Sequence, residues 1–300
     1  MSKKSAPLIA DVRRNALDDG PGIRSTIFFK GCPLSCVWCQ NPECISPAPE
    51  LQHDRGSCIG CGECARRCPH GAARFEADER RHDAERCRLC EVCVEGCPPG
   101  GLRRIGTALS AGELVERVLV DEVFFSSSGG GVTFSGGEPT MFLSYLTGVA
   151  RLLKDRGVHL LLETCGHYPS RRFEADLLPL LDTIYFDLKL FDPGLHRQMT
   201  GMDNGRIVEN LERLVRLAPE KLQVRVPLVP RLTATRENLT QIARFLLHNG
   251  QKRVVLLPYN PLWTQKAAPG PLIFDPSRFM TSDEVETCRG VMVDAGLTVL

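Results

Sequence analysis

Short apolar runs, bounded by polar and turn residues, recur along this chain and alternate with stretches of helical periodicity. The runs Ser25–Phe29, Gly131–Ser135, Val158–Glu163, Thr183–Leu188, Gln223–Leu228 and Arg253–Pro258 read as strands. Between them Tyr145–Asp155, Arg171–Leu181, Ile207–Leu217 and Asn238–Leu247 read as helices, and Ala111–Val123 is a further helix ahead of Gly131. Leu211, Leu214, Val215 and Ala218 show the spacing. A Pro-rich loop from residue 261, a helix-like stretch and the apolar run Leu297–Leu300 close the chain. This alternation predicts an α/β protein built of strand-helix-strand units around a parallel sheet. Six such strands suit a partial barrel or an open doubly wound sheet, and the pattern alone does not separate the two. In either, chemistry belongs at the C-terminal ends of the strands. The loop after Phe29, the Gly-Gly-Glu after Ser135, and Glu163, Asp187 and Asn260 all stand at such ends.

Residues 49–105 break the pattern. They are rich in Cys, Arg and Gly and have almost no periodic apolar positions. Something other than a hydrophobic core must hold them. The chain therefore divides into 1–48, with the first strand and a Cys loop; 49–105, an insert; and 106–300, the rest of the core.

Composition sharpens this. The chain has 300 residues and 14 cysteines, twelve of them between Cys32 and Cys97. Disulfide scaffolds are short secreted chains, and the start Met1-Ser2-Lys3-Lys4-Ser5 leads into no apolar signal core. A cytoplasmic location with reduced thiols is expected, and clustered reduced thiols point to metal. The net charge of +1 gives no case for nucleic acid. No apolar run approaches the roughly 18 residues of a membrane span.

The insert contains Cys58-x2-Cys61-x2-Cys64-x3-Cys68-Pro69 and repeats it as Cys87-x2-Cys90-x2-Cys93-x3-Cys97-Pro98. Both match the run of bacterial two-cluster ferredoxins, in which the fourth Cys serves the other cluster. That assigns Cys58, Cys61, Cys64 and Cys97 to one [4Fe-4S] cluster, and Cys87, Cys90, Cys93 and Cys68 to a second. Zinc sites favour Cys pairs parted by a longer spacer. The loop Cys32-x3-Cys36-x2-Cys39 differs, because three thiolates leave one iron of a cubane open. Cys44 could close that corner. Ser135-Gly136-Gly137-Glu138-Pro139 supplies a reason to keep it open: glycines for a close backbone approach and a carboxylate to accept from an ammonium.

The Cys loop paired with Gly-Gly-Glu-Pro resembles the radical S-adenosylmethionine enzymes. Asp19-Gly20-Pro21-Gly22-Ile23-Arg24 and the stretch Lys30–Glu43 look like the glycyl-radical-enzyme activating enzymes, relatives of pyruvate formate-lyase activase. The insert is similar to that of the subgroup with two auxiliary clusters.

The resemblance implies a partial (β/α)6 TIM-like barrel with a ferredoxin-like iron-sulfur insert, and three [4Fe-4S] clusters. Cys32, Cys36 and Cys39 would hold the catalytic one. S-adenosylmethionine would be cleaved reductively to methionine and a 5′-deoxyadenosyl radical, which takes a hydrogen from a glycine of a partner glycyl radical enzyme. Gly136, Gly137 and Glu138 would hold the methionine amino group, and Lys189 of Asp187-Leu188-Lys189 its carboxylate. Glu163, Thr164 and Asp187 match a monovalent-cation site, with Glu in place of the usual Asp. Arg225 would point into the pocket, Asn41 would meet the adenosyl part, and Asn260 replaces a usual His. A flavodoxin or ferredoxin would supply electrons to a monomer. With three clusters the net charge would be about −4. The competing readings are a radical enzyme acting directly on a small molecule or another peptide, and a ferredoxin-like electron carrier. A carrier leaves Gly-Gly-Glu and the three-Cys loop unexplained. Cys44, Cys165 and Cys288 are expected to bind no iron.

Overall fold

A computed structural model describes residues 6–76, 79–266 and 272–300, so the N-terminal lysines and part of the Pro-rich loop lie outside the described residues. Its strands, in chain order, are β1 (Leu8–Ala16), β2 (Arg24–Phe29), β3 (Glu50–His53), β4 (Ala73–Glu76), β5 (Glu79–His82), β6 (Leu102–Ile105) and β7 (Thr107–Ala108). They continue as β8 (Gly131–Gly136), β9 (His159–Thr164), β10 (Thr183–Asp187), β11 (Leu222–Leu228), β12 (Arg253–Pro258) and β13 (Thr298–Val299).

One sheet carries β13-β12-β11-β10-β9-β8-β2-β1-β7. From β2 through β8 to β13 every neighbouring pair is parallel. The order follows the chain without reversal. A doubly wound sheet reverses at its switch point, so this is a singly wound partial barrel, open between β7 and β13. The six expected strands are its six long parallel members. Ile27, Val132, Leu160, Ile184, Val224 and Val254, one from each, are fully enclosed, while β10, β11 and β12 alternate buried positions with part-buried or exposed ones.

Two expectations need correction, and two elements are new. The segment Ala111–Val123 is two helices, Ala111–Leu119 and Glu122–Ser128, parted at Asp121, whose carboxylate bonds Arg14 and Ser25 instead of prolonging the first. Arg171–Leu181 is not one α-helix. It passes through a turn at Ser170–Arg172, a wide turn at Phe173–Leu177 and a tight one at Leu178–Leu180, where Pro179 lacks an N–H to donate. The helix Pro193–Thr200 was not foreseen. Nor was β1, antiparallel to β2.

Asp19–Arg24 closes the opposite end of the barrel from the Cys loop. Arg24 is fully buried at the start of β2, donating to Thr133 Oγ1 at 2.6 Å and to the Val132 carbonyl at 2.8 Å. The insert leaves the core between β2 and β8 and closes on itself where Glu50 pairs with Ile105. It holds two small two-stranded sheets, β3-β6 and β4-β5, and two one-turn helices at Glu63–Arg66 and Val92–Glu95.

Candidate active site

At the end of β2 the chain enters the Cys loop, and the turn after β8 is stitched to its root. Gly137 N–H donates to the Phe29 carbonyl and Glu138 N–H to that of Gly31, each at 2.8 Å. Gly31 N–H donates to the Cys44 carbonyl at 2.8 Å, and Cys32 N–H to Ile45 at 3.0 Å. A Cβ on Gly137 would run into the carbonyl oxygen of Gly31 and lie 2.6 Å from that of Cys44. Gly136 adopts φ +101°, and its Cβ would lie 2.5 Å from the Phe29 nitrogen. The close approach that these glycines permit is thus between two loops of the chain itself.

Above this seam lies a cavity of about 350 Å³ at the C-terminal ends of the strands. Cys32, Cys36 and Cys39 line it together with Asn41, Gly136, Gly137, Glu163, Thr164, Asp187, Lys189, Arg225 and Asn260. Trp38, Leu228, Val229 and Tyr259 give it an apolar wall. All fourteen cysteines are free of disulfides. Burial pushes the Cys36 thiol up to about 12 and the Cys39 thiol up to about 11, so metal binding there must release protons.

The polar wall is a closed ionic chain. Arg225 donates from Nη1 to Glu163 Oε1 at 2.7 Å and from Nε to Asp187 Oδ1 at 3.0 Å, and its guanidinium stacks 4.7 Å from the Tyr185 ring centroid. Lys189 Nζ donates to Asp187 Oδ2 at 3.0 Å, and Ser135 bonds the other oxygen of Glu163. Burial works against the charge of Lys189 and Arg225, but Asp187 in both cases, and Glu163 for Arg225, overcome it and hold both above their ordinary values. Asp187 is held low despite its burial by the same two cations.

Glu138 stands behind this wall, not among the residues that line the cavity. It is fully buried, and its carboxylate is already occupied. Thr140 donates to Oε1 through N–H and hydroxyl, Thr164 Oγ1 donates at 2.9 Å and Cys165 N–H at 2.7 Å to Oε2. Its work is to fix the end of β9 against that of β8. The residues of the expected monovalent-cation site are engaged with other protein groups. The Thr164 hydroxyl is committed to Glu138, and the carboxylates of Glu163 and Asp187 already enclose a guanidinium.

Asn41 and Asn260 both reach the rim. Asn260 Oδ1 accepts from Leu262 N–H, and its carbonyl accepts from Gln40 Nε2 at 3.0 Å. A residue the sequence did not single out anchors this side. Lys266 Nζ donates to the Gln40 carbonyl at 3.0 Å, Asn41 Oδ1 at 3.1 Å and Glu43 Oε1 at 2.8 Å. Lys30, fully buried, likewise joins the Cys loop to the insert, through the Glu43 carbonyl at 2.6 Å and Glu50 at 3.0 Å. Cys165 lines the cavity, Cys44 is buried outside it, and Cys288 lies beside a separate pocket.

In the insert two further cavities divide the cysteines. One is lined by Cys58, Cys61, Cys64 and Cys97, the other by Cys68, Cys87, Cys90 and Cys93. Among the described residues no group of three or more His, Cys, Asp or Glu side chains could hold a single metal ion. Four thiolates around a cubane stand farther apart than four around one ion. Gly60 and Gly62 adopt left-handed φ of +69° and +70°; at the same offsets in the second copy stand Leu89 and Glu91, at +52° and +61°. Left-handed non-glycine backbone persists only where its surroundings over-determine it. His53 Nε2 and two guanidinium nitrogens of Arg80 are buried among these cysteines with no partner among the described residues. Thiol sets, backbone turns and orphaned donors all fit anionic iron-sulfur clusters.

The sequence matches the Radical SAM superfamily over residues 60–246. It is 38% identical to the trans-4-hydroxy-L-proline dehydratase activating enzyme of Clostridioides difficile, covering 87% of this chain and 86% of that protein. It is 33% identical to the pyruvate formate-lyase 2-activating enzyme of Escherichia coli strain K12, over 97% of this chain and 91% of that protein. The benzylsuccinate synthase activating enzyme of Thauera aromatica is 35% identical over 80% of this chain and 74% of that protein. Among solved structures, a radical SAM methyltransferase from Sphaerobacter thermophilus superposes with a TM-score of 0.55 at 14% identity, over 98% of this chain and 76% of that one. QueE from Escherichia coli gives 0.51 at 14% identity, over 98% and 92%. These last two speak for the fold alone.

Proposed function

Because the chain belongs to the radical SAM superfamily and, within it, to the activating enzymes of glycyl radical enzymes, we propose that the cavity above Cys32, Cys36 and Cys39 is where S-adenosylmethionine is held for cleavage. The chain is an enzyme whose family implies a [4Fe-4S] cluster, S-adenosylmethionine and a glycyl radical enzyme as partner.

When bound at the three thiolates, the cluster supplies the electron that splits the sulfonium into methionine and a 5′-deoxyadenosyl radical, which takes a hydrogen atom from a glycine of the partner. The residues do the rest. Lys189 is a permanent cation whose charge suits the methionine carboxylate. Arg225 and Asp187 hold that lysine in place and keep the floor neutral. Gly136 and Gly137 bring their backbone beside the Cys loop, where its polar groups are available to the methionine amino group. Asn41, held by Lys266, faces the adenosyl side. Trp38, Leu228, Val229 and Tyr259 exclude water from a site where a primary carbon radical must meet one substrate only.

The observation that carries this reading is the hydrogen-bonded seam joining Gly137 to Phe29 and Glu138 to Gly31. Beside it three thiols and the ionic chain line one cavity, which supports the reading. We read the insert as a ferredoxin-like unit with two further [4Fe-4S] clusters, serving as a conduit from a flavodoxin or ferredoxin. The split of its eight cysteines between two cavities supports this. The test is to mix the reduced protein, S-adenosylmethionine and a glycyl radical enzyme encoded beside it. A glycyl radical on the partner, with matching 5′-deoxyadenosine and methionine, supports the reading. Cleavage with no radical on any such partner overturns it in favour of a small-molecule or peptide substrate.

A further inference from the structure

The insert is rich in arginines, and most of those on its surface find carboxylates: Arg66 pairs with Glu63, Arg86 with Asp83 and Arg104 with Glu91. Arg80 is placed differently. It sits on β5, opposite Phe75, and its side chain lines both cysteine cavities at once. Its Nε and Nη2 are sealed from solvent and have no hydrogen-bond partner among the described residues. Buried donors are almost always satisfied, and a guanidinium is always charged. Among the described residues, this cation lies between two sets of four thiols with two enclosed donors that have no acceptor.

We propose that Arg80 is a positioning residue shared by the two auxiliary clusters, giving hydrogen bonds and positive charge to both and raising both their reduction potentials. This rests on the auxiliary-cluster reading. Cubanes with four thiolates carry about −2 each, so two of them side by side repel, and an added electron makes this worse. A cation between them favours the reduced form of each. Net charge and hydrogen bonds to the sulfurs are established determinants of cluster potential. Coupling both seats to one side chain also keeps their potentials in step, which suits passage of an electron from one to the next. His53 in the first cavity has an orphaned Nε2 as well, but it reaches that cavity alone.

The test compares the full chain with Arg80→Gln, each prepared anaerobically, by iron content and an EPR-monitored redox titration. The catalytic cluster, identified by its spectral response to S-adenosylmethionine, serves as the internal reference. The expected result is about twelve irons in both proteins. Both auxiliary midpoints should fall by about tenfold in the reduction equilibrium, about 59 mV for one electron, with the catalytic midpoint unmoved. Should Arg80→Gln not keep its iron, Arg80→Lys carries the test: it keeps the charge and loses the fork, so both midpoints should fall by less. Wild-type protein with only about four irons would overturn the auxiliary-cluster reading itself. Full iron content in the variant, with neither midpoint moved or only one, overturns the shared role of Arg80 and leaves that reading standing.

Discussion

Arg225 lies 2.7 Å from Glu163, and the same guanidinium reaches Asp187 on the strand between them. The longer Glu side chain at position 163 is what lets β9 meet an arginine on β11 across β10. The cavity floor is neutralised from within. S-adenosylmethionine binding to the wild type should therefore be the same in sodium, potassium or a bulky organic cation. Arg225→Ala should lose roughly 3 kcal/mol of stability by stranding buried carboxylates, and its S-adenosylmethionine affinity should become dependent on potassium. A wild type that requires potassium contradicts the arrangement.

Gly137→Ala should separate the two loops. Its Cβ would meet the backbone carbonyls of Gly31 and Cys44, neither of which can swing away as a side chain could. The Cys loop must move, and with it the thiolates of the catalytic cluster. Iron analysis should show loss of about four irons per chain while the insert keeps its own. Full iron content with normal cleavage would show that the seam tolerates the methyl group.

Lys266→Met should act on affinity and leave assembly alone. It removes three bonds from one ammonium to the Gln40–Glu43 segment. Hydrogen bonds to charged groups contribute about 1.5–3 kcal/mol each when lost from a buried setting, and Lys266 is only partly enclosed. A weakening of S-adenosylmethionine binding by about tenfold, about 1.4 kcal/mol, is expected at unchanged iron content. Calorimetric titration measures it; unchanged affinity would mean that Asn41 needs no anchor.

The six parallel strands were legible because each sets buried apolar residues in a short run bounded by turn residues, and their order around the barrel became clear once the strands were seen to pair in chain sequence. Strand β1 escaped because Asp11, Arg13 and Arg14 interrupt it, and their exposed side chains reflect its place near the sheet edge. The three Cys groups were legible from spacing alone. For Glu138 the sequence shows a carboxylate beside glycines and does not show that Thr140, Thr164 and Cys165 donate to it. Lys266 and Arg80 carry no local signal at all. Lys266 meets Asn41 from 225 residues away, and Arg80 reads as one charge among many in a polar hairpin.

Electron entry through the insert separates from a purely structural role when Cys58→Ala and Cys87→Ala are compared. Under the conduit reading a small artificial reductant still supports cleavage in both variants, and a flavodoxin or ferredoxin donor does not. Equal rates with either donor in a folded variant would make the clusters structural.

The central claim is that Cys32, Cys36 and Cys39 hold the one cluster that cleaves S-adenosylmethionine. Iron content and 5′-deoxyadenosine formation in the triple variant Cys32/Cys36/Cys39→Ala, set beside the wild type, test it most directly. The account predicts about eight irons in place of about twelve, and no cleavage with any reductant. A triple variant that keeps about twelve irons, or still forms 5′-deoxyadenosine, would contradict it.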